Sequence, residues 1–256
     1  MTASGPLAGL GVVLTRPRAQ CAAIAAELEA QGARVHIFPA LDIVPVELSP
    51  ASRAALASLA GASLAIFVSA NAAEHGVAAA RKAGPWPASV PVAGIGEATA
   101  ACLRNAGFAR VIAPAAGFDS EALLACPELQ DAKDRRMIIF RGVGGREHLR
   151  TELEARGATV AYVECYRRER PASDPAGLLA ALARGEIDAV HAMSAETVDN
   201  FLVLAGAAPS WSRVALVVPH PAIARHRAAA SFGRTVASGP GIASLVETLR
   251  KLRKAS

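Results

Sequence analysis

The sequence is poor in aromatic residues, and it contains no apolar run long enough to cross a membrane. Aromatic residues make up 4% of the 256 residues, although hydrophobic residues make up 52%. Much of the hydrophobic excess is alanine, a small residue that favours helices. A spanning helix needs about 18 or more apolar residues in a row. The absence of such a run excludes a membrane-spanning helix, and we expect no membrane partner.

Cysteines are also few, and their spacing excludes the common cysteine-based sites. The four cysteines, Cys21, Cys102, Cys126 and Cys165, form no CxxC pair and no metal-ligand spacing. We therefore expect reduced thiols rather than a disulfide scaffold or a metal site. The sequence also lacks GxxxxGK[ST], HExxH, the GxSxG nucleophile elbow and an EF-hand loop. Metal and nucleotide chemistry are not expected.

Charge and the first residues indicate the kind of partner and the compartment. The formal net charge is +5, a modest bias that suits an anionic ligand. The basic segment 250–254 has no interleaved aromatic residues, so a solvated helix end is favoured over a nucleic-acid surface. Residues 1–6 lack the basic region and the apolar stretch of a secretory signal. We expect a cytoplasmic protein that does not bind nucleic acid.

The chain contains an internal repeat with a shift of 125 residues. The segment LEAQGARV at 28–35 recurs as LEARGATV at 153–160. The same shift places Arg16 on Arg141, each just after a short apolar run. Solenoid repeats are far shorter than this. The repeat therefore predicts two similar α/β domains.

Each copy contains a β-α-β pattern, which predicts parallel sheets. In both copies an apolar run is followed by an amphipathic, alanine-rich or charged segment and then by a second apolar run. Parallel sheets bind ligands at the carboxyl ends of their strands. We predict two similar Rossmann/flavodoxin-like parallel-sheet domains. The predicted strands are 11–15, 34–38, 64–68, 90–94, 136–140, 159–163, 189–193 and 214–218.

Extended, proline-containing segments follow the β-α-β pattern in both copies and predict the domain boundaries. The segments 39–46 and 164–171 lie at equivalent places, and their prolines disfavour a helix. We interpret them as two strands of a linker, which makes one domain an insertion in the other. The predicted domains are 1–38 plus 172–256 and 42–165, with linkers near 39–46 and 163–171.

Polar residues follow several predicted strands. Ser69 with Asn71, and Ser194 in the other copy, lie where a strand meets a helix. They either cap these helices or present hydroxyl and amide groups to a ligand. Arg141 begins a glycine-containing loop without the GxGxxG spacing of a dinucleotide site, so a generic anion-binding loop is favoured. Arg16 is the equivalent residue in the first copy.

Two further residues have both a structural and a functional interpretation. His220 lies between Pro219 and Pro221 at a strand end, and a loop histidine without partners is more often structural than catalytic. Tyr166 is one of two tyrosines and falls on a predicted linker strand. Its alternatives are packing at a hinge and a role beside the cleft.

The chain resembles the uroporphyrinogen-III synthase family over nearly its whole length. The resemblance rests on short segments that are weak alone and fairly specific in their order and spacing. It implies two α/β domains joined by a two-stranded linker, with the substrate held between them and with neither a metal nor an organic cofactor. The segments are VLTRP at 13–17, GARV at 32–35, FVSANA at 67–72, AGIGEATA at 93–100, DSEALL at 119–124, RGVGGRE at 141–147, VECYRR at 163–168 and AMSA at 192–195.

The resemblance also implies a lyase that closes hydroxymethylbilane to uroporphyrinogen III with loss of water. Loss of the terminal hydroxyl leaves an azafulvene, and the substituted carbon of ring D attacks it to form a spiro intermediate. Fragmentation and reclosure then invert ring D. The substrate is a polycarboxylate, which suits a mildly basic protein with helix N-termini around its cleft. The family precedent is a monomer, and we expect no stable partner.

The family's site residues carry over onto matching positions. Tyr166 matches the family's tyrosine and is the candidate acid or hydrogen-bond donor for departure of the hydroxyl. Thr99, Ser69 and Ser194 match positions that line the cleft. The chain departs from the family at 218–222, where His220 and an extra proline replace a threonine-containing helix start. With the candidates above, the predicted substrate-binding residues are Arg16, Ser69, Asn71, Thr99, Arg141, Ser194 and His220.

Two other functions remain open at this point. One is a non-catalytic two-domain sensor that closes on a small anionic ligand. The lack of a signal peptide and of a DNA-binding segment argues against this function. The other is a nucleotide-dependent glycosyl- or phosphotransferase with two facing Rossmann-like units. The incomplete glycine pattern after residue 141 argues against the second.

Overall fold

A computed structural model of the protein describes residues 5–117, 119–206 and 209–254. Residues 1–4, on which the expected lack of a secretory signal partly rests, lie outside this description. The chain divides into two compact units. We call the first, Met1–Asp42 with Glu169–Ser256, the split unit, and the second, Ile43–Arg168, the continuous unit.

The helices and strands follow one another in mixed α/β order. The first segment of the split unit contains β1 (Gly11–Leu14), α1 (Ala22–Ala30) and β2 (Arg34–Ile37). The middle of the chain contains β3 (Asp42–Pro45), α2 (Pro50–Ala57), β4 (Leu64–Phe67), α3 (Ala70–Ala83), β5 (Val92–Gly94), α4 (Glu97–Asn105), β6 (Val111–Ile112), α5 (Ser120–Leu124), α6 (Pro127–Gln130), β7 (Arg136–Gly142), α7 (His148–Ala155) and β8 (Thr159–Glu169). The last segment contains α8 (Ala176–Ala183), β9 (Ala189–His191), α9 (Ala195–Ala205), β10 (Ala215–Val218), α10 (Pro221–Ala224), β11 (Arg234–Ala237) and α11 (Ile242–Lys254). Short 3-10 turns occur at Arg18–Gln20, Leu59–Gly61, Pro209–Arg213 and Arg227–Ser231.

The split unit is built on a five-stranded sheet in the order β11-β10-β9-β1-β2. Its neighbouring strands pair in parallel. Numbered within the unit, this order is 2-1-3-4-5, which is the flavodoxin-like order. The direction of winding changes between β1 and β9, and ligands of such sheets bind outside the carboxyl ends of the strands at this switch point.

The continuous unit is built on a six-stranded sheet in the order β3-β8-β7-β4-β5-β6. Strands β4 to β8 pair in parallel. Read from β6 toward β8 and numbered within the unit, they have the Rossmann order 3-2-1-4-5. The switch point lies between β4 and β7, and β3 adds an edge strand beside β8.

Both sheets are covered by helices on both faces, because successive residues of their central strands are apolar and point to opposite faces. In the continuous unit, Phe67 and Phe140 face the core that contains α3, and Ile66 and Ile139 face the core that contains α7. In the split unit, Val13 packs with α8 and α9, while Val12 and Leu14 pack with α1 and α11 on the other face. Strands that are apolar on both faces are typical of parallel sheets. The predicted mixed α/β fold with parallel sheets is confirmed by this topology.

The repeat and the units do not coincide. The 125-residue shift relates β1, β2 and β4 to β7, β8 and β9. The split unit, however, combines the strands that begin the first copy with those that end the second.

The predicted strands occur, with some differences in length. Strand β8 continues from the predicted 159–163 to Glu169, because beyond β7 it still has β3 as a neighbour. Strands β6 and β11 are edge strands that the sequence did not predict, and their residues are only partly buried or exposed. Among the described helices, none is both long and apolar enough to cross a membrane.

Candidate functional site

In the continuous unit, Tyr166 and Ser69 meet at the carboxyl end of the sheet. The Tyr166 hydroxyl lies 3.1 Å from Ser69 Oγ, although the two residues are 97 apart in the chain. Ser69 is the N-cap of α3, and its Oγ accepts a hydrogen bond from Ala72 N at 3.0 Å. The helix-cap interpretation of Ser69 is confirmed, and its contact with a ligand stays a prediction. Ser69 also holds the hydroxyl of the candidate acid.

The orientation of Tyr166 depends on a break in the strand pairing and on a glycine. The register between β7 and β8 shifts after Arg141 and Glu164, so that Gly142 pairs with Tyr166. A Cβ atom at Gly142 would lie 2.8 Å from two atoms of the tyrosine ring. The ring of His75, from the second turn of α3, lies 5.8 Å away between centroids. Tyr166 is 3% exposed in this setting.

Thr99 and Asn71 lie near the same carboxyl ends. Thr99 is buried in the first turn of α4, where its N–H donates to Gly96 O at 3.1 Å. Asn71 is half-buried in the first turn of α3. Strands β4 and β5 are neighbours, so the helices that follow them start side by side. The structure thus places Ser69, Asn71 and Thr99 along one edge of this unit.

Arg141 is held by acids of its own unit. Its guanidinium pairs with Glu147 at 2.6 Å and with Glu164 at 3.0 Å, and it lies 3.5 Å above the centre of the Tyr162 ring. Burial lowers its pKa, but hydrogen bonds to Glu147 and Glu164 outweigh this and raise the pKa above the ordinary value. The predicted contact of Arg141 with substrate stays a prediction, and it would require one of these pairs to open.

The second tyrosine and the cysteines are poorly suited to acid–base or nucleophilic roles. Burial, followed by the hydrogen bond to Glu147, raises the pKa of Tyr162 to about 12. Burial raises the pKa of Cys165 to about 12, so its reactive thiolate is scarce near neutral pH. All four cysteines are free. Within the described residues, no cluster of histidine, cysteine and acidic side chains has the arrangement of a metal site.

In the split unit, Ser194 and His220 are both helix caps. Ser194 Oγ accepts from Thr197 N at 3.2 Å and lies 2.8 Å from Thr197 Oγ1. His220 Nδ1 accepts from Ala222 N at 3.1 Å at the start of α10. The imidazole is therefore the N-cap of α10, and a neutral ring in this role carries its proton on Nε2. That N–H is a hydrogen-bond donor at the carboxyl end of β10.

Arg16 follows β1 at the switch point of the split unit. Its Nη2 donates to Gln20 Oε1 at 2.9 Å, and Cys21 Sγ bonds the Arg16 carbonyl at 3.4 Å. Burial lowers the pKa of Arg16 below its ordinary value, whereas the pKa of Arg141 lies above its ordinary value. No carboxylate among the described residues pairs with its guanidinium.

Sequence reasoning missed His191, the last residue of β9. The ring is 4% exposed, and Nδ1 is buried without a hydrogen-bond partner. Burial, with a smaller effect of the Arg16 charge, lowers its pKa to about 4. The repeat held a signal for it, since the 125-residue shift places His191 on the buried Ile66. Because an apolar isoleucine fills the equivalent core position in the other copy, packing alone does not explain a histidine here.

Comparisons with known proteins agree on one family. The family described as uroporphyrinogen-III synthase HemD matches residues 22–247. The uroporphyrinogen-III synthase of Salmonella typhimurium is 34% identical over 62% of this chain, and the match spans only 65% of that relative's length. The enzyme of the same name from Synechococcus elongatus is 32% identical over 82% of this chain and 81% of its own.

Solved structures show the same fold at lower sequence identity. A crystal structure of a mutant uroporphyrinogen III synthase from Thermus thermophilus has a TM-score of 0.60 and 21% identity, covering 96% of this chain and all of that one. The uroporphyrinogen-III synthetase of Helicobacter pylori also has a TM-score of 0.60, with 14% identity over 95% of this chain and all of that one. At these identities the likeness concerns the fold.

Proposed function

Because this chain belongs to the uroporphyrinogen-III synthase family, we propose that it converts hydroxymethylbilane into uroporphyrinogen III with loss of water. The observation that carries the proposal is the contact between Tyr166 and Ser69. A tyrosine hydroxyl, a serine hydroxyl and the start of α3 come together at the carboxyl end of a parallel sheet, where such folds bind their ligands.

Tyr166 is the proposed acid of the first step. Departure of the terminal hydroxyl of the bilane as water breaks a C–O bond and requires a proton. Ser69 lies within hydrogen-bond distance of the phenol, and Gly142 leaves room for the ring beside the strand. The phenol donates its proton to the leaving oxygen, and the lone pair of the neighbouring pyrrole nitrogen expels water as the C–O bond breaks. The products of the step are water, a phenolate and a protonated azafulvene.

The remaining steps need positioning more than acid–base chemistry. The substituted carbon of ring D must reach the azafulvene to form the spiro intermediate before the free end of the chain closes directly. The proposed substrate contacts are Arg16, Ser69, Asn71, Thr99, Arg141, Ser194 and His220, which offer charge, hydroxyl groups and N–H donors. Holding one ring geometry out of several is the means by which such a site selects the product.

The proposal includes the domain arrangement and the state of the protein. We propose that the domains are 1–38 plus 172–256 and 42–165, joined by strands near 39–46 and 163–171. The division of the chain into Met1–Asp42 with Glu169–Ser256 and Ile43–Arg168 supports these boundaries. A cytoplasmic monomer that uses no cofactor is part of the same proposal.

The experiment that tests the function separates the two ring isomers. Hydroxymethylbilane is generated from porphobilinogen and its deaminase, with and without this protein, and the oxidised porphyrins are resolved by chromatography. We expect isomer III with the protein and isomer I without it. Isomer I alone in both reactions would refute the synthase activity and favour a non-catalytic sensor of an anionic ligand.

A further inference from the structure

The carboxyl edge of the split unit holds a second group of polar residues, at the switch point between β1 and β9. Leu14, which ends β1, pairs with His191, which ends β9. Arg16 is the second residue after β1, and its charge adds to the effect of burial in lowering the pKa of His191. The two side chains therefore belong to the position where a sheet of this order binds its ligand.

Within the described part of the chain, His191 Nδ1 has no hydrogen-bond partner that accounts for a polar ring at this place. The residue is 4% exposed, and Nδ1 is buried. Its strand neighbours on the same face, Leu14 and Val217, belong to the apolar core with α1 and α11. A buried polar atom without a partner costs stability, and native structures contain few of them. The isoleucine that the first copy has at this place would avoid that cost.

The repeat also supplies an internal comparison for Arg16. Its equivalent, Arg141, is neutralised by Glu147 and Glu164. The 125-residue shift places these two acids on Ala22 and Pro39. The split unit has kept the arginine and lacks both counterions. Among the described residues Arg16 has no carboxylate partner, and it lies two residues beyond Leu14, the strand partner of His191. A partly buried cation in this setting attracts an anion.

We propose that Arg16 and His191 form a carboxylate-binding site of the split unit. The site takes one acidic side chain of the polycarboxylate substrate, so the inference rests on the proposed function. Arg16 supplies the charge and the planar N–H donors that suit a carboxylate. His191 donates from Nδ1–H, and its low pKa keeps the ring neutral near neutral pH, so that Nε2 is unprotonated.

Two substitutions at His191 separate binding from packing. His191→Leu removes the polar ring and fills the space, whereas His191→Asn places an amide near the position of Nδ1. We expect His191→Leu to raise KM for hydroxymethylbilane about 10- to 100-fold, the usual effect of losing a hydrogen bond to a charged group. The effect on kcat should be smaller, and His191→Asn should recover most of the loss. If His191 is purely structural, His191→Leu should leave KM unchanged and raise the melting temperature.

A second pair of variants acts from the surface and leaves His191 in place. Ala22 is exposed at the start of α1 and corresponds to Glu147. Ala22→Glu should supply Arg16 with the counterion that Arg141 already has and weaken carboxylate binding about tenfold. Ala23→Glu is the matched control, because Ala23 is also exposed. The substitution adds the same charge one position further along the same helix. If His191→Leu does not fold, this pair decides the question.

Binding is measured independently of turnover with uroporphyrin, the stable oxidised form of the product and a polycarboxylate. Weaker binding in His191→Leu and Ala22→Glu, with Ala23→Glu like the wild type, supports the site. Unchanged binding in the first two variants overturns it. A wild type that makes no isomer III refutes the proposed function instead, and the uroporphyrin titration then decides the site alone.

Discussion

At the scale of single residues, two tyrosines with the same chemistry are placed in different surroundings. Tyr166 is 3% exposed with its hydroxyl on Ser69. Tyr162 lies four residues earlier on the same strand, and its hydroxyl bonds Glu147 while its ring lies under Arg141. Only Tyr166 has a hydroxyl that is not bonded to a carboxylate. The pair therefore provides a built-in control for the proposed acid.

We expect Tyr166→Phe to lower kcat about 100-fold or more, because the proton donor for the leaving hydroxyl is removed. The fold should remain, since the variant loses one hydrogen bond, which is worth about 1 kcal/mol. Tyr162→Phe should keep the kcat of the wild type. Steady-state kinetics of isomer III formation, with circular dichroism of both variants, make the comparison. Equal losses in the two variants, or no loss in Tyr166→Phe, would contradict the assigned role.

At the scale of elements, α3 connects the core of the continuous unit to the site. Its N-cap, Ser69, holds Tyr166, and its second turn lies against the stacked rings of Phe67 and Phe140, whose centroids are 4.5 Å apart. Gly76 allows this close approach, because a Cβ there would lie 2.6 Å from a ring atom of Phe140. The position of the serine therefore depends on a glycine two turns away.

We expect Gly76→Ala to destabilise the protein by about 1–2 kcal/mol. The methyl group overpacks a rigid aromatic pair at a cost of about 1–3 kcal/mol, and the better helix propensity of alanine offsets up to about 1 kcal/mol. Gly177→Ala is the control, since Gly177 is an exposed residue of α8 with no atom within 4 Å of the added Cβ. That variant should be slightly more stable than the wild type. Urea unfolding of both variants tests this, and a stabilising Gly76→Ala would refute the packing argument.

At the scale of the whole molecule, the two units are assembled differently from one repeated sequence. The continuous unit has all its strands in one stretch of chain, apart from the two residues at its ends. The split unit must bring β1 beside β9, across more than half of the chain. Contacts that are so distant in sequence form late, because closing a long loop costs entropy first.

We therefore expect residues 42–169 to fold on their own. This fragment contains a complete sheet with apolar cores on both faces, and it keeps β3 and β8 entire. Residues 1–41 alone should remain unfolded, because Val12 and Leu14 then lose the helix α11 and the strand β9 that cover them. Thermal unfolding followed by circular dichroism distinguishes the two fragments. Failure of 42–169 to show a cooperative transition would contradict the independence of this unit.

The sequence predicted the mixed α/β class with parallel sheets, and the polar residues that it placed after strands lie there. Apolar runs gave most strands within one or two residues, and serines after strands proved to be caps. The pairing of Arg141 with Glu147 and Glu164 was not predicted, because it depends on the curvature of a loop and on a neighbouring strand. His191 was missed because a single histidine in an apolar run carries no pattern of its own.

By itself the sequence determined the repeat, the α/β class with parallel strands and the resemblance to a family, because these depend on local periodicity and on short segments in order. Tertiary structure alone decided which strands share a sheet, that Tyr166 meets Ser69, and that Arg141 is neutralised while Arg16 is not. The physical reason is distance along the chain. Hydrogen bonds, ion pairs and desolvation act over a few ångströms in space, between residues that only packing brings together.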